Sequence, residues 1–364
     1  MVDTTVPSTA PGVLAPLTRK RIFKVAVTLF FFVYSVVTIF PFYVLFVRTF
    51  VSTKDATDLH LWIPPQQEIS LDADLGNLSV FYNLDLKKVK QDFGIPATDY
   101  LAPRTTLREL AEEYSLPIER IRAYFAPFGT YNGWIVLFSS GLIWPALART
   151  LLVTVASIVG LNILSICTGY ALAGLRRRDQ MLIYNLFLLQ MVIPPMLVLL
   201  PQYMIVQQLL RLIPGFAQPG FSRFAGQILA IVLLNIKGGA LSTMIYTSFI
   251  TAIPKELEEC SEIDGANRLQ YMFHILLPLL KVPIASLTVI MLPEFWNQFL
   301  TPYVYLDPLN QTLVPMVQSF SGKYTTNYQI VFTAVFVSIL PLIAVYVVFR
   351  RFFIRGLLAG AIKG

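Results

Sequence analysis

Six stretches of the chain, near residues 22–50, 146–175, 181–207, 225–250, 274–302 and 328–353, are almost free of charge and rich in Val, Ile, Leu and Phe. Each exceeds the roughly 20 residues that one helical bilayer crossing needs. In lipid every backbone N–H and C=O must be satisfied within the protein, so uncharged runs of this length fold as helices. Only 13% of the residues are charged, against about 25% in a soluble domain. The expected fold is therefore all-α and polytopic, with six transmembrane helices.

Charge orients them. Arg19, Lys20, Arg21 and Lys24 cluster at the start of the first run, Arg176, Arg177 and Arg178 follow the second, Lys255 follows the fourth, and Arg350, Arg351 and Arg355 follow the sixth. Placing these on the cytoplasmic side puts both termini inside. The first run is too long for a signal-peptide core and lacks a small-residue cleavage site, so it reads as an uncleaved span after a short disordered tail, residues 1–21. The net charge of +7 comes from basic residues that punctuate apolar runs, not from a continuous stripe, which argues against nucleic acid. Cys167 and Cys260 are the only cysteines, and His60 and His274 the only histidines, so neither a disulfide framework nor a metal site is expected.

Between the fourth and fifth runs lies a polar stretch, Pro254 to Pro278. Pro254 suits a helix start, and Glu256, Glu258 and Glu259 complement the exposed N–H groups of a first turn. Asp264-Gly265 then ends the helix, because glycine adopts the left-handed geometry of a helix stop at least cost. A second helix runs into the next span. Two short helices hinged at a glycine, on the cytoplasmic face, form a rigid knob that another protein can push.

This stretch resembles the coupling loop of ABC importer permeases, whose pattern is E-A-A-x-x-x-G followed by I-x-L-P. Glu259 and Gly265 match the first part, and Ile275, Leu277 and Pro278 the second. Asp264-Gly265-Ala266 matches the D-G-A of sugar importers, while Cys260 and Ser261 replace the two alanines with other small residues. Arg149 to Ala173 resembles the family's second core helix, and Trp296-Asn297-Gln298-Phe299 its W-N-[DE]-F signature. The ending Arg355-Gly356-Leu357 with Ala359, Gly360, Ala361, Ile362, Lys363 and Gly364 is like the tail of the smaller permease of maltose-type importers.

The resemblance implies a permease subunit in a bacterial inner membrane, importing a sugar or oligosaccharide. It implies three partners besides lipid: a second, different permease, a dimer of ATPase subunits that binds ATP-Mg, and an extracytoplasmic solute-binding protein. Glu259, Cys260, Ser261, Asp264, Gly265, Ala266 and Pro278 would dock on the ATPase, as would the tail at Ala359, Gly360, Lys363 and Gly364. The loop 303–327 would meet the binding protein, with Ser321, Gly322 and Lys323 near its tip. The chain has no phosphate-binding loop, no H-E-x-x-H and no G-x-S-x-G, so no cofactor or catalytic set is expected in it. A secondary transporter or membrane sensor is the alternative, but neither needs an ATPase dock.

One segment departs from the family. Residues 51–145 carry eight basic residues against twelve acidic ones, a net of −4, as expected of an extracytoplasmic insert on a positive-inside protein. Leu86 to Pro96 lines up with Leu107 to Pro117 as a repeat of one helix followed by a stop, and Thr106 with Glu109 forms a capping box. A mainly helical cap is expected, with Phe93 and Tyr114 in equivalent packed positions. The permease core would then be 146–364.

Two charges fall inside apolar runs. Lys237 lies near the middle of the fourth, and Glu294 in the outer half of the fifth after Pro293. Isolated, each costs several kcal/mol in a bilayer, so each needs a partner or water. Either they face the interior, pairing or lining a translocation path near Trp296 and Asn297, or Lys237 snorkels and Glu294 meets the partner permease.

Overall fold

The structure, a computed structural model, describes residues 16–52, 58–63, 69–82, 85–213, 216, 220–237, 239–321 and 327–361. Among them it has helices and no β-strand, with an isolated antiparallel bridge between Asp74 and Thr106.

Helix α1 (Pro16–Arg48) is long enough to cross a membrane and is exposed over most of its length. Two of its hydroxyls bond back to its own carbonyls, Ser35 to Phe31 at 2.7 Å and Thr38 to Tyr34 at 2.8 Å, so neither of these is left unpaired toward lipid.

The cap follows as α2 (Leu75–Tyr82), α3 (Leu86–Phe93), α4 (Leu107–Glu113) and α5 (Ile118–Thr130). Leu75, Leu78, Val89, Leu110, Ile121 and Phe125 form the heart of its core. Both copies of the repeat begin and end alike. Asp85 caps α3 through the Lys87 N–H, and Thr106 caps α4 in a complete capping box with Glu109. Gly94 (φ +72°) and Ser115 (φ +52°) then stop the two helices in left-handed geometry. The Ile95 N–H reaches the Lys90 carbonyl and the Leu116 N–H the Ala111 carbonyl, each at 2.8 Å. The aromatic positions differ. Phe93 is buried against Tyr124 and Phe125, whereas Tyr114 sits at the rim and donates its hydroxyl to Asp99 at 3.2 Å. A phenol needs a polar partner that the apolar centre lacks. Tyr124 donates to Asp92 at 2.8 Å, and burial together with that carboxylate pushes its phenol well above the usual tyrosine range.

Helix α6 (Asn132–Ser139) ties the cap to the bundle. The buried Gln329 amide donates to the Thr130 carbonyl at 2.7 Å and the Thr49 carbonyl at 3.3 Å, and Trp134 donates to the Thr49 hydroxyl at 3.2 Å. Gly133 lies so close to the last long helix that a Cβ there would sit 2.4 Å from the Thr333 hydroxyl.

The bundle is built around α7 (Ile143–Ala173). Its buried stripe is rich in small and hydroxyl residues, among them Thr150, Thr154, Ser157, Ser165 and Gly169. Such residues let helices approach closely where no hydrophobic effect drives them together. Next come α8 (Arg177–Val192) and α9 (Pro195–Leu212), bent by 96° at Ile193-Pro194. A residue before proline is held extended, which breaks the helix between the two. Then α10 (Phe221–Lys237) and α11 (Ala240–Thr251) follow, with α11 against α7.

The polar stretch forms α12 (Glu256–Ile263) and α13 (Arg268–Tyr271), a π-helical turn (Met272–Leu276) and α14 (Leu277–Leu279), bent by 70° into α15 (Lys281–Trp296). Pro283 lies in the first turn of α15, where no intrahelical N–H is needed. The chain closes with α16 (Leu300–Tyr305), a 3-10 turn (Pro308–Asn310), α17 (Leu313–Ser319) and α18 (Tyr328–Ala361).

Candidate coupling knob and central cavity

Helix α12 stops at Gly265, the only residue of the knob with positive φ (+82°). The Gly265 N–H reaches the Glu262 carbonyl at 3.0 Å and the Ala266 N–H the Ser261 carbonyl at 2.9 Å, closing the helix end. Asn267 and Gln270 then cap α13 in a reciprocal box, whose spacing is a local signal carried by the sequence itself. Pro278 can donate no hydrogen bond into the helix, and the chain passes it through the π-helical turn.

The knob has an inner and an outer side. Ser261 is buried and donates to the Glu258 carbonyl at 2.7 Å. Tyr271 is buried against Tyr170, and the Tyr170 hydroxyl donates to the Glu258 carboxylate. This couples the knob to the end of α7, and no periodicity in the sequence points to it. Glu259, Cys260, Asp264 and Gly265 face outward. Among them stand bare apolar side chains, with Ile263 85% exposed and Leu269 64%.

At the other end of α7 the Thr150 hydroxyl accepts from the Leu313 N–H at 2.8 Å, and Arg149 donates to Asn310 at 3.0 Å. Thr150 and Tyr170 are separated along α7 by about 30 Å at 1.5 Å per residue, the thickness of a bilayer's apolar core.

A cavity of about 510 Å³ opens between the α8–α9 break, α10, α11 and α15. Lys237 and Glu294 both line it, and no ion pair joins them among the described residues. Lys237 is the last residue of α10, where the helix end favours a cation. Beside them stands a polar group that the sequence pattern does not bring together. Asn235 and Gln298 exchange amide hydrogen bonds at 3.2 and 2.8 Å, and Asn235 also donates to Ser157 at 2.8 Å. Gln190 and Gln202 also line the cavity.

The remaining expected site residues lie elsewhere. Trp296 is buried away from the cavity and donates to the Ser338 carbonyl of α18 at 3.1 Å, which makes it a packing anchor. Asn297 lines a separate, mainly apolar groove of about 890 Å³ between α15, α17 and α18. Ser321 follows α17, which is packed into the bundle through Leu313, Met316 and Val317. Gly322 and Lys323 lie outside the described residues, as do Lys363 and Gly364. Ala359 and Gly360 fall in the last turns of α18.

A cavity with polar groups set in a largely apolar wall, a bundle of membrane-length and bent helices, and a knob at one end are the parts of a membrane transporter. Residues 165–358, just over half the chain, match the binding-protein-dependent transport system inner membrane component family, and the chain belongs to it. It is thus a multi-pass bacterial inner-membrane protein, the permease component of a binding-protein-dependent importer. Similar proteins include the probable starch degradation products permease AmyC of Thermoanaerobacterium thermosulfurigenes, 29% identical over 60% of this chain and 75% of that one. The melibiose/raffinose/stachyose import permease MelC of Bacillus subtilis is also 29% identical, over 59% of this chain and 75% of its own. A chain of a bacterial ABC transporter that imports the acidic polysaccharide alginate shares the fold, with a TM-score of 0.58 at 15% identity, covering 96% of this chain and all of that one.

Proposed function

We propose that the protein is one of two different permeases in an ATP-driven saccharide importer. The observation that carries this is the knob, whose outward face presents Glu259, Asp264, Gly265 and exposed Ile263 while its inward face is tied to α7 through Glu258 and Tyr170. A partner ATPase that binds ATP-Mg and closes on the outward face moves α7 directly. The chain crosses six times with both termini inside, three long helices and three bent pairs serving as spans. The 30 Å between the two ends of α7 supports the knob and the cap lying on opposite sides.

Helices α8 and α9 bury no residue in this chain, which supports a second permease covering them. Amides suit hydroxyl-rich cargo, so Asn235, Gln298, Gln190 and Gln202, with Lys237 and Glu294, form this subunit's wall of the path. The sugar class rests on relatives that carry starch products and raffinose-type oligosaccharides. Residues 303–327 face the solute-binding protein, and hydrolysis occurs on the ATPase alone.

The test is purification of the tagged protein from its own membranes, followed by reconstitution. A nucleotide-binding subunit should copurify, and saccharide with its binding protein should stimulate ATP hydrolysis. Uptake driven by an ion gradient, with no ATPase present, would overturn the reading.

A further inference from the structure

The matched family region begins at residue 165, so it says nothing of how the cap meets its surroundings. The segment 58–63, Asp-Leu-His-Leu-Trp-Ile, lies after the end of α1 in sequence yet turns back along it. The Tyr43 hydroxyl donates to the Leu61 carbonyl. Tyr43 stands five residues before Arg48, so this contact sits about 7.5 Å below the end of the helix. The uncharged part of α1, Val25 to Val47, is about 34 Å long against an apolar bilayer core of about 30 Å. Leu61 is thereby level with the boundary between acyl chains and headgroups.

At that level the segment shows its apolar side. Trp62 is 72% exposed and Leu59 69%, while the His60 ring turns its Nε2 inward. The rim continues where the chain re-enters the bundle. Trp144, in the first turn of α7, is 60% exposed and packs at a tilt against Phe138, which stacks on Trp134. Trp134 in turn stacks on Phe50 just past the end of α1. Tryptophan and tyrosine concentrate at membrane interfaces because one end of each ring system is apolar and the other, an N–H or O–H, donates a hydrogen bond to water. The cap's most exposed aromatic, Tyr100, stands apart on the α3–α4 loop.

We propose that the cap is seated in the outer-leaflet interface, with Leu59, Trp62, Phe138 and Trp144 immersed among lipid headgroups. The binding partner of this rim is the lipid surface itself. The seat holds the cap at fixed height over α1 and α7, and the Gln329 and Trp134 hydrogen bonds fix its rotation. This rests on the outward placement of residues 51–145 but not on the cargo.

The experiment uses the complete transporter in vesicles of lipids brominated at shallow or deep acyl positions. The fluorescence of Trp62 is obtained as the difference between the parent and Trp62→Phe, and that of Trp144 likewise from Trp144→Phe. Tyr100→Trp supplies a water-exposed control. Both native signals should be quenched several-fold more by shallow bromine than by deep bromine or aqueous iodide, with the control showing the reverse. Quenching of Trp62 and Trp144 by iodide as efficient as the control's would put the rim in water and overturn the proposal. Insensitivity to both quenchers would place a protein partner over the rim and overturn it equally. Iodide added inside sealed vesicles separates a wrongly assigned side from a wrongly assigned depth.

Discussion

Substitution at Gly265 separates the strain inside the knob from its fit to a partner. The residue is left-handed at φ +82°, and a Cβ there would meet nothing within 4 Å in this chain. Gly265→Ala therefore costs only conformational energy, about 1–2 kcal/mol. Gly265→Asn costs less, because asparagine tolerates this region. The knob is held independently by the buried Ser261, the Asn267–Gln270 box and the Tyr170–Glu258 bond, so neither change should unfold it. The purified permease complex should lose at most about 4 °C of thermal stability for each kcal/mol. Transport and binding-protein-stimulated ATP hydrolysis should nonetheless fall at least tenfold in Gly265→Asn, because the added side chain occupies the space into which the ATPase must close. Normal uptake with normal ATPase stimulation in Gly265→Asn would refute a close approach at this glycine. A large loss of stability would refute the strain argument instead.

Lys237→Met and Glu294→Gln should each lower saccharide uptake severalfold while the complex assembles normally; unchanged uptake in both would remove the pair from the path. Gly133→Ala should cost about 1–3 kcal/mol by overpacking, seen as faster proteolysis of the cap, since its Cβ would stand 2.7 Å from the Gln329 carbonyl. Adding Thr333→Ala should rescue this only in part, because the backbone clash stays. In the cap, Ser115→Gly should stabilise by up to about 1 kcal/mol and Gly94→Ala destabilise by a similar amount, as left-handed geometry favours glycine at both stops. Equal effects of one sign, measured as protection of cap amides from hydrogen exchange, would contradict the repeat.

The amino-acid sequence by itself determined the long apolar helices, because a continuous apolar run of about 20 residues satisfies its backbone in lipid as a helix, and the helix stops, because they depend on local chemistry. Thr106 with Glu109, Gly94 and Gly265 all act within a few residues of themselves, so their roles were legible in order along the chain. The helix-glycine-helix pattern of the knob was legible for the same reason, as was the presence of two charges in need of an explanation. Tertiary structure alone decided where those charges point. Lys237 and Glu294 come from different helices, and only the bending of α8–α9 and α10–α11 opens a cavity that both can line. Trp296 and Asn297 are neighbours in sequence, yet one packs on α18 and the other lines a different groove, because adjacent helical residues point about 100° apart. The Tyr170–Glu258 link and the Asn235–Gln298 pair join residues 88 and 63 positions apart. Hydrogen bonds across such separations depend on how whole helices cross, which no local pattern of residues encodes.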